Sequence, residues 1–433
     1  MAKTVSGSSS VVSGSDYLTR AEVLAVLQIK SQTLYAYVSR GLIRSMPQPG
    51  GRSSFYSRED VERIKIKGAA RAGFGAVAAS AMRWGDPVIT TSITQLTEAG
   101  PRYRNRLATD LVRAHASFET VADFLWAGNW IDKADGWGAL QTPPEVIAQL
   151  SRITKLRAQP HVVQLLILAV GMLGVYHGSY SERTKSGATQ VLLARQAIWT
   201  MTGVFGFLGP RRQFVAMHAG QSVAAGLAQA LGIKPTPNTL RAINAILVLD
   251  VDHELTPSAF AARIAASSAA DLHACIGAAL NTHHSGLTGN RADSVEELLE
   301  PRASSSTMIA RVKTALASAQ RVPGFDHPFP FYPNGDPRAK ILIEIAREIG
   351  RSKRSVRDLI KTVEVLEGQF GLRPSFEFGS VMLCRALGLP AQTSSGLRSL
   401  ARSAGWVAHA FEQRLAAFMI RPRAKYVDSA TLP

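Results

Sequence analysis

The sequence predicts a mainly α-helical protein with a small separate unit at its N-terminus. From Met82 onward, apolar residues recur with helical spacing in segments such as ATDLVRAHASFETVADFLW, whereas the alternation typical of strands is scarce. Hydrophobic residues make up 46% of the 433 residues, which excludes a disordered chain and allows two or three domains with a large core. We expect a flexible tail over 1–16, a small unit over 17–67, a linker over 68–81 and a large helical unit over 82–433.

The small unit has the element order of a winged helix-turn-helix. Thr19 and Glu22 form a capping-box pattern that opens a short helix, and a second helix, QTLYAYVSR, ends at Gly41. A Pro/Gly turn between two short β-prone runs predicts a wing, and a third helix starts after Ser57. This order resembles the MerR or excisionase type of winged helix-turn-helix, which implies a DNA-binding domain.

The resemblance implies that five side chains of the small unit contact duplex DNA. They lie on or beside the second helix and on the wing: Gln32, Thr33, Tyr35, Arg40 and Arg52. The first 75 residues carry eleven Lys or Arg against five Asp or Glu, and the whole chain has a net charge of +17, which suits a polyanionic partner. Two alternatives stay open: the charge serves only solubility, or Tyr35 and Tyr37 pack a core and the unit is a docking domain.

Three features indicate a cytoplasmic protein. Cys275 and Cys384 each lie in an apolar, helix-like run, as expected of buried thiols in a reducing compartment. The polar N-terminus lacks the apolar stretch of a secretory signal. The uncharged run VVQLLILAVGMLGVY falls short of the roughly 20 residues that cross a bilayer, so it predicts a buried core helix.

Four motifs of the large unit occur in an order and at spacings that make a family resemblance specific. They are LVLDVDHELTPSAFAAR, VPGFDHPFPFYPNGDPRA, SLARSAGWVAHAFEQ and IRPRAKYV, and they follow the segment ASFETVADFLWAGNW. Together these segments resemble the citrate synthase family from about Met82 to Val427. The resemblance implies a citrate-synthase-like all-α two-domain unit, with a small subdomain of roughly 289–385 inserted in the large one, and a homodimer.

The resemblance also implies an acyltransferase that uses a CoA thioester as substrate and binds no cofactor or metal. In the family reaction, a carboxylate removes a methyl proton from the thioester and the resulting enol attacks the ketone of oxaloacetate. The resemblance assigns His253 to oxaloacetate contact and His327 to the ketone oxygen. Arg338, Arg402 and, from the neighbouring subunit, Arg421 would bind the carboxylates, for which a planar guanidinium is suited.

The acyl half of the expected site departs from the family pattern. The family's GPLHGG segment, whose His bonds the enol oxygen, aligns with SGLTGN and places Thr288 at that position. The family's PNVDF, whose Asp is the base, aligns with PSFEF and gives Glu377. Losing an oxyanion donor typically costs roughly 10²–10³ in turnover, and about 1 Å of misplacement can cost on the order of 100-fold. Asp326 also replaces a loop glycine, and Phe329-Pro330 or neighbouring residues are additional.

Two hypotheses therefore stand for the function. The first is an enzyme that joins acetyl-CoA, or another short acyl-CoA such as propionyl-CoA, to oxaloacetate, with Glu377 as base, His327 as ketone donor and Thr288 or an ordered water as enol partner. The second is a DNA-binding regulator that senses oxaloacetate or citrate without turning it over.

The adjacent residues His283 and His284 would point about 100° apart on a helix, so they cannot share a metal-binding face. We predict that both are exposed to solvent.

Overall fold

The structure, a computed structural model, describes eleven stretches of the chain. They are 17–47, 54–69, 89–131, 137–138, 141–156, 161–178, 186–286, 288–300, 303–318, 320–325 and 331–422. The expected tail and most of the expected linker lie outside these stretches.

The small N-terminal unit contains three helices and a three-stranded antiparallel sheet. Its helices are α1 (Arg20–Leu27), α2 (Ser31–Ser39) and α3 (Arg58–Ala69), and its strands are β1 (Tyr17–Leu18), β2 (Ser45–Pro47) and β3 (Ser54–Ser57). The strand order is β1-β3-β2, with Met46 paired to Phe55. The capping box predicted at Thr19 and Glu22 is present, and Gly41 follows α2 with φ +68°, a conformation that favours glycine.

The large unit begins with a small sheet that the sequence did not predict. Strands β4 (Thr94–Thr97), β5 (Gly100–Tyr103) and β6 (Arg106–Leu107) form an antiparallel meander. Strands of two to four residues are too short for an alternating pattern to be recognised among helical segments. The Tyr103 hydroxyl, on β5, is buried and lies 3.1 Å from the carbonyl oxygens of both Val248 and Leu249, which ties the sheet to the helical core.

The rest of the large unit is helical, as predicted. Helices α4 to α18 are Ala108–Arg113, Phe118–Ala127, Pro144–Leu156, Val162–His177, Gly187–Val204, Val223–Leu231, Pro237–Leu249, Pro257–Ser267, Leu272–His283, Arg291–Leu299, Ser305–Ala317, Pro337–Ile349, Arg354–Phe370, Phe376–Leu387 and Thr393–Ala416. A 3₁₀ turn, Phe205–Phe207, follows α8. Across the described stretches the fold is mainly α with small sheets near the N-terminus, which confirms the predicted fold class.

Helix α18 is the centre of the large unit. Eighteen of its 24 residues are buried, and it packs against helices that precede it along the chain, including α11 and α12. Gly405 allows a close crossing, because a Cβ at this position would lie 2.5 Å from the Val251 carbonyl oxygen and from the Asp252 side chain. Helix α7, which holds the long uncharged run, has seven buried residues. None of the helices in the described stretches meets the length and hydrophobicity that a membrane span requires.

Candidate active site

Several helix ends converge on one cavity of the large unit. Helices α11, α13, α15 and α17 begin at this cavity, α10 and α12 end at or just before it, and α18 passes alongside. The cavity has a volume of about 420 Å³. Because the N-terminus of a helix carries a partial positive charge and free N–H groups, four N-termini at one cavity favour an anionic ligand.

A buried carboxylate, Asp250, organises the arginines of the cavity. Arg402, on α18, donates to Asp250 Oδ1 from Nε at 3.0 Å and from Nη2 at 2.6 Å. Arg338 Nη1 lies 3.2 Å from the same oxygen, and Arg398 Nε lies 3.2 Å from Oδ2. Asp250 is fully buried, and the cost of burying a carboxylate is offset when cations pair with it.

Arg338 is fixed by the cap of its own helix. Asp336 caps α15, where its Oδ1 accepts a hydrogen bond from the Arg338 backbone N–H at 2.9 Å, and its Oδ2 pairs with Arg338 Nη2 at 2.8 Å. Pro337 occupies the first turn, which its fixed φ suits. The DPR sequence therefore both starts α15 and orients the guanidinium of Arg338.

Glu377, in the first turn of α17, is buried and doubly paired. Its Oε1 accepts a short hydrogen bond from Arg398 and lies 3.5 Å from Arg291 Nε, and its Oε2 accepts a hydrogen bond from the Ser375 hydroxyl at 2.7 Å. Burial acts to raise the pKa of Glu377, but Arg398, Arg291 and the Ser375 hydroxyl together hold that pKa well below its ordinary value. The carboxylate is ionised, and in this arrangement it is a weak base.

His253 is buried beside these arginines and is neutral near pH 7. Burial, followed by the charges of Arg338 and Arg402, lowers the pKa of His253 well below its ordinary value. Its Nε2 lies 2.9 Å from the Tyr332 hydroxyl, which belongs to the loop before α15. A neutral imidazole offers one donor and one acceptor, so His253 can orient a ligand by hydrogen bonding.

Comparison with known proteins identifies the large unit. The sequence model described as citrate synthase, C-terminal domain, matches residues 82–423. The chain belongs to the citrate synthase family. It is 25% identical to citrate synthase 2 of Bacillus subtilis over 350 residues, which cover 78% of this chain and 92% of the relative. It is 32% identical to the citrate synthase of Synechocystis over 205 residues, a match that spans about half of that relative (51%).

Solved structures of citrate synthases share the fold. One is the ternary complex of the Thermoplasma acidophilum enzyme with carboxymethyl coenzyme A and oxaloacetate, with a TM-score of 0.67 and 22% identity, covering 80% of this chain and 95% of that one. Another is the citrate synthase of Thermotoga maritima, with a TM-score of 0.66. At this level of identity the likeness establishes the fold of this member of the citrate synthase family, and its site must be judged from its own residues.

The structure brings five of the site residues expected from the citrate synthase resemblance to this cavity. They are His253, Thr288, Arg338, Glu377 and Arg402. His327 and Asp326 lie outside the described residues, as do Phe329 and Pro330. Arg421 is exposed, and it is not among the described residues that line the cavity of its own chain.

Sequence reasoning missed further charged residues in and beside the cavity, among them Arg398, Arg291 and Asp250. Arg398 lies four residues before Arg402, so both project from the same face of α18; that spacing is a signal that could have revealed it. Arg291 starts α13 just after the SGLTGN segment. Asp250 had no such signal, because a single Asp at the end of an apolar helix is indistinguishable from a solvated cap.

The predicted exposure of the histidine pair is wrong for His283. This residue ends α12, is 3% exposed and lines the cavity. His284 points elsewhere, and its Nδ1 lies 3.0 Å from Asn290 Oδ1. The Thr288 hydroxyl donates to the His283 carbonyl oxygen at 2.8 Å. The two histidines do diverge as expected, but the turn that follows α12 encloses the first of them.

The small unit reaches the mouth of the cavity. Glu59, on α3, lines it together with Arg321, and their Oε2 and Nη2 atoms are 3.1 Å apart. Glu59 also accepts a hydrogen bond from Arg44 at 3.1 Å, and Arg44 pairs with the buried Asp60. Both Glu59 and Arg321 are about one-third exposed, so each contact is individually weak.

The residues expected to contact DNA lie on the surface where they are described. Gln32, Tyr35 and Arg40 are exposed and Thr33 is half-buried. Tyr35 is 53% exposed, with the Arg20 guanidinium 5.3 Å from its ring centre, so it does not pack a core. Arg52 lies outside the described residues.

Proposed function

We propose that this protein is a citrate-synthase-type acyltransferase that condenses a short acyl-CoA with oxaloacetate. Acetyl-CoA is the first candidate and propionyl-CoA the second. The observation that carries the proposal is a cavity in which an ionised carboxylate, Glu377, lies among arginines and at which four helices begin. Membership of the citrate synthase family supports the same reaction class.

The charges of the cavity favour a dicarboxylate. Five lining arginines (Arg291, Arg321, Arg338, Arg398 and Arg402) stand against three lining carboxylates (Glu59, Asp336 and Glu377) and the adjoining Asp250, which leaves one positive charge in excess. The helix N-termini add to it. A carboxylate of oxaloacetate would compete with Glu377 and Asp250 for Arg398 and Arg402, where bidentate hydrogen bonds reward correct orientation.

This competition also gives Glu377 a route to act as base. While Arg398 pairs with it, the pKa of Glu377 is too low for efficient proton removal. If oxaloacetate draws Arg398 away, the largest influence that lowers this pKa is lost, and the pKa of Glu377 rises from its value in the paired state. Glu377 would then take a methyl proton from the thioester, the enol carbon would bond to the ketone carbon of oxaloacetate, and hydrolysis of the thioester would release CoA. His327 is proposed to donate to the ketone oxygen.

The Thr288 hydroxyl is only one candidate for the donor to the enol oxygen. The sequence assigned this role to Thr288 or an ordered water. In the structure the hydroxyl is hydrogen-bonded to the His283 carbonyl oxygen. A second side chain could therefore donate the hydrogen bond to the enol oxygen.

We further propose a homodimer in which Arg421 completes the partner's site. Near the end of the described chain, Leu415 is 86%, Phe418 53% and Met419 62% exposed. They border a groove of about 1180 Å³ with a largely apolar lining. A second copy that covers this groove would bury these side chains, and Arg421, two residues after Met419, would then face the partner.

The test is an assay of thiol release from acetyl-CoA and propionyl-CoA with oxaloacetate. Glu377→Gln is expected to lower the rate by roughly 10²–10⁴, because an amide cannot accept the proton. Oxaloacetate affinity should be kept or rise, since the neutral amide competes less for Arg398. Glu364→Gln, an exposed carboxylate on α16, is the matched control. Undiminished turnover by Glu377→Gln would exclude this mechanism.

One observation favours a second candidate, a regulator that binds oxaloacetate or citrate without turning it over. The pairing of Glu377 with two arginines also suits a site that holds its ligand without chemistry. The exposed α2 side chains of the small unit would contact DNA in this case. Binding of oxaloacetate with no thiol release from either thioester would favour this candidate.

A further inference from the structure

His283 lines the cavity with a side chain whose hydrogen-bonding capacity is not fully used. It is 3% exposed, and its Nε2 has no hydrogen-bond partner among the described residues. A buried polar group without a partner is unfavourable, so such a group in the wall of a cavity indicates a ligand atom. The Trp406 ring, at 5.4 Å and 64°, fixes the orientation of the imidazole.

The turn after α12 is built around this histidine. The Thr288 hydroxyl and the Gly289 N–H both donate to the His283 carbonyl oxygen, at 2.8 and 2.7 Å. Position 289 requires glycine, because a Cβ there would overlap that oxygen and lie 2.8 Å from the imidazole Cδ2. The hydroxyl of Thr288 therefore donates its hydrogen to the backbone of His283, and the His283 side chain is the one that remains available to a ligand.

The protonation state of His283 suits a hydrogen-bond donor. Burial, followed by the charges of Arg398 and Arg402, lowers its pKa well below the ordinary value. The ring is therefore neutral at pH 7 and carries one N–H. A neutral donor stabilises an enol oxygen without giving up its proton, because the methyl proton goes to Glu377.

We propose that the imidazole N–H of His283 donates to the enol oxygen of the acyl thioester and that Thr288 is the positioning residue that holds it. This inference rests on the proposed acyltransferase function. It explains how the site can keep an enol donor although Thr288 stands where the family pattern has histidine. The donor comes from five residues earlier in the chain, at the end of α12.

Two substitutions at His283 separate hydrogen bonding from packing. His283→Phe keeps a ring but removes the donor, and kcat with acetyl-CoA should fall by roughly 10²–10³. His283→Gln keeps an N–H and should stay within about 10-fold of the parent, since a displaced donor still stabilises in part. The oxaloacetate dissociation constant should change by less than about 2-fold in both, because the arginines are untouched. His284→Gln, the neighbour outside the cavity, should match the parent.

A double-mutant cycle tests the role of Thr288. Thr288→Val should lower kcat by about 10-fold in the parent and have no further effect in His283→Phe, because a positioning residue acts through its partner. Additive losses would overturn the positioning role. Methyl-proton exchange of acetyl-CoA into deuterated water should slow in parallel with kcat, as expected if the enol is the species stabilised. His283→Leu replaces the Phe variant if that one does not fold.

The outcomes distinguish this inference from the proposed function. If the parent releases no thiol and exchanges no methyl proton, the proposed acyltransferase function fails. If the parent is active and His283→Phe keeps its kcat and exchange rate, the function stands and the assignment of His283 is wrong.

Discussion

Asp250 decides what the arginines of the cavity can do. Three guanidinium groups, from Arg338, Arg398 and Arg402, converge on this one buried carboxylate. In the absence of ligand it keeps the arginines from repelling one another and holds them at fixed positions. A ligand carboxylate must then displace part of this pairing, so affinity is the difference between two sets of ion pairs rather than the sum of new ones.

Removing an arginine of this cluster should abolish ligand-induced stabilisation. Arg338→Ala and Arg402→Ala leave both Asp250 and a bound carboxylate less compensated, so each should lose about 2–5 kcal/mol of oxaloacetate binding free energy. The measurement is the rise in melting temperature with oxaloacetate or citrate. Arg347→Ala, an exposed arginine on the same helix as Arg338, is the control and should keep the full rise. If the melting temperatures of all three variants rise with ligand as that of the parent does, other residues bind the ligand carboxylates.

Sequence reasoning located part of the site and missed the rest for a physical reason. His253, Arg338 and Glu377 stand in motifs whose order and spacing are informative. Asp250 and His283 acquire their importance only from packing, since Asp250 meets side chains 88 and 152 residues away in sequence. A pattern along the chain cannot report such contacts. It also cannot tell which of two adjacent histidines the following turn encloses.

At the scale of elements, α18 crosses the segment that follows α10, and this crossing determines where the arginines of α18 lie relative to Asp250. Small residues on α18 let it approach this segment, and Gly405 marks the tightest point. Arg402 lies nearly one turn before Gly405, so the same crossing delivers its guanidinium to Asp250. The helical elements were predictable from periodicity, but their crossing distances depend on pairs of surfaces that no local pattern specifies.

Gly405→Ala should therefore be much more damaging than a typical helical substitution. The added methyl would lie 2.5 Å from the Val251 carbonyl oxygen. Because a backbone atom cannot move aside without distorting the chain, we expect a loss of about 1–3 kcal/mol in the free energy of unfolding. Oxaloacetate binding should weaken with it. Gly368→Ala on α16 is the control: nothing lies within 4 Å of its Cβ, and it should stabilise by about 0.5–1 kcal/mol. Denaturant titrations measure the free energy of unfolding of both variants. Equal changes in the two would show that the close contact at Gly405 is not required.

At the scale of the whole molecule, the small unit packs on the large one. Met46 and Phe55, which pair across β2 and β3, belong to the same hydrophobic cluster as the core of the large unit. Glu59 adds its ion pair with Arg321 at the cavity mouth. The sequence predicted the elements of the small unit but not this contact, because one short apolar pair does not reveal its partner. A ligand that draws Arg321 away from Glu59 would alter the contact, and the coupling would be reciprocal.

The packed arrangement leaves α2 exposed, so DNA binding can be tested on the full chain. Fluorescence anisotropy with duplex genomic fragments should show an affinity that falls steeply with salt, by about 0.9 in log–log slope for each phosphate contact. Arg40→Ala should weaken binding to all sequences alike and reduce that slope by about 1, because it removes one phosphate contact. Arg354→Ala, an arginine of the large unit that is 83% exposed, should leave the slope unchanged. If the full chain does not bind duplex DNA even at about 50 mM salt, where phosphate contacts are strongest, the DNA-binding role is lost and a docking role replaces it.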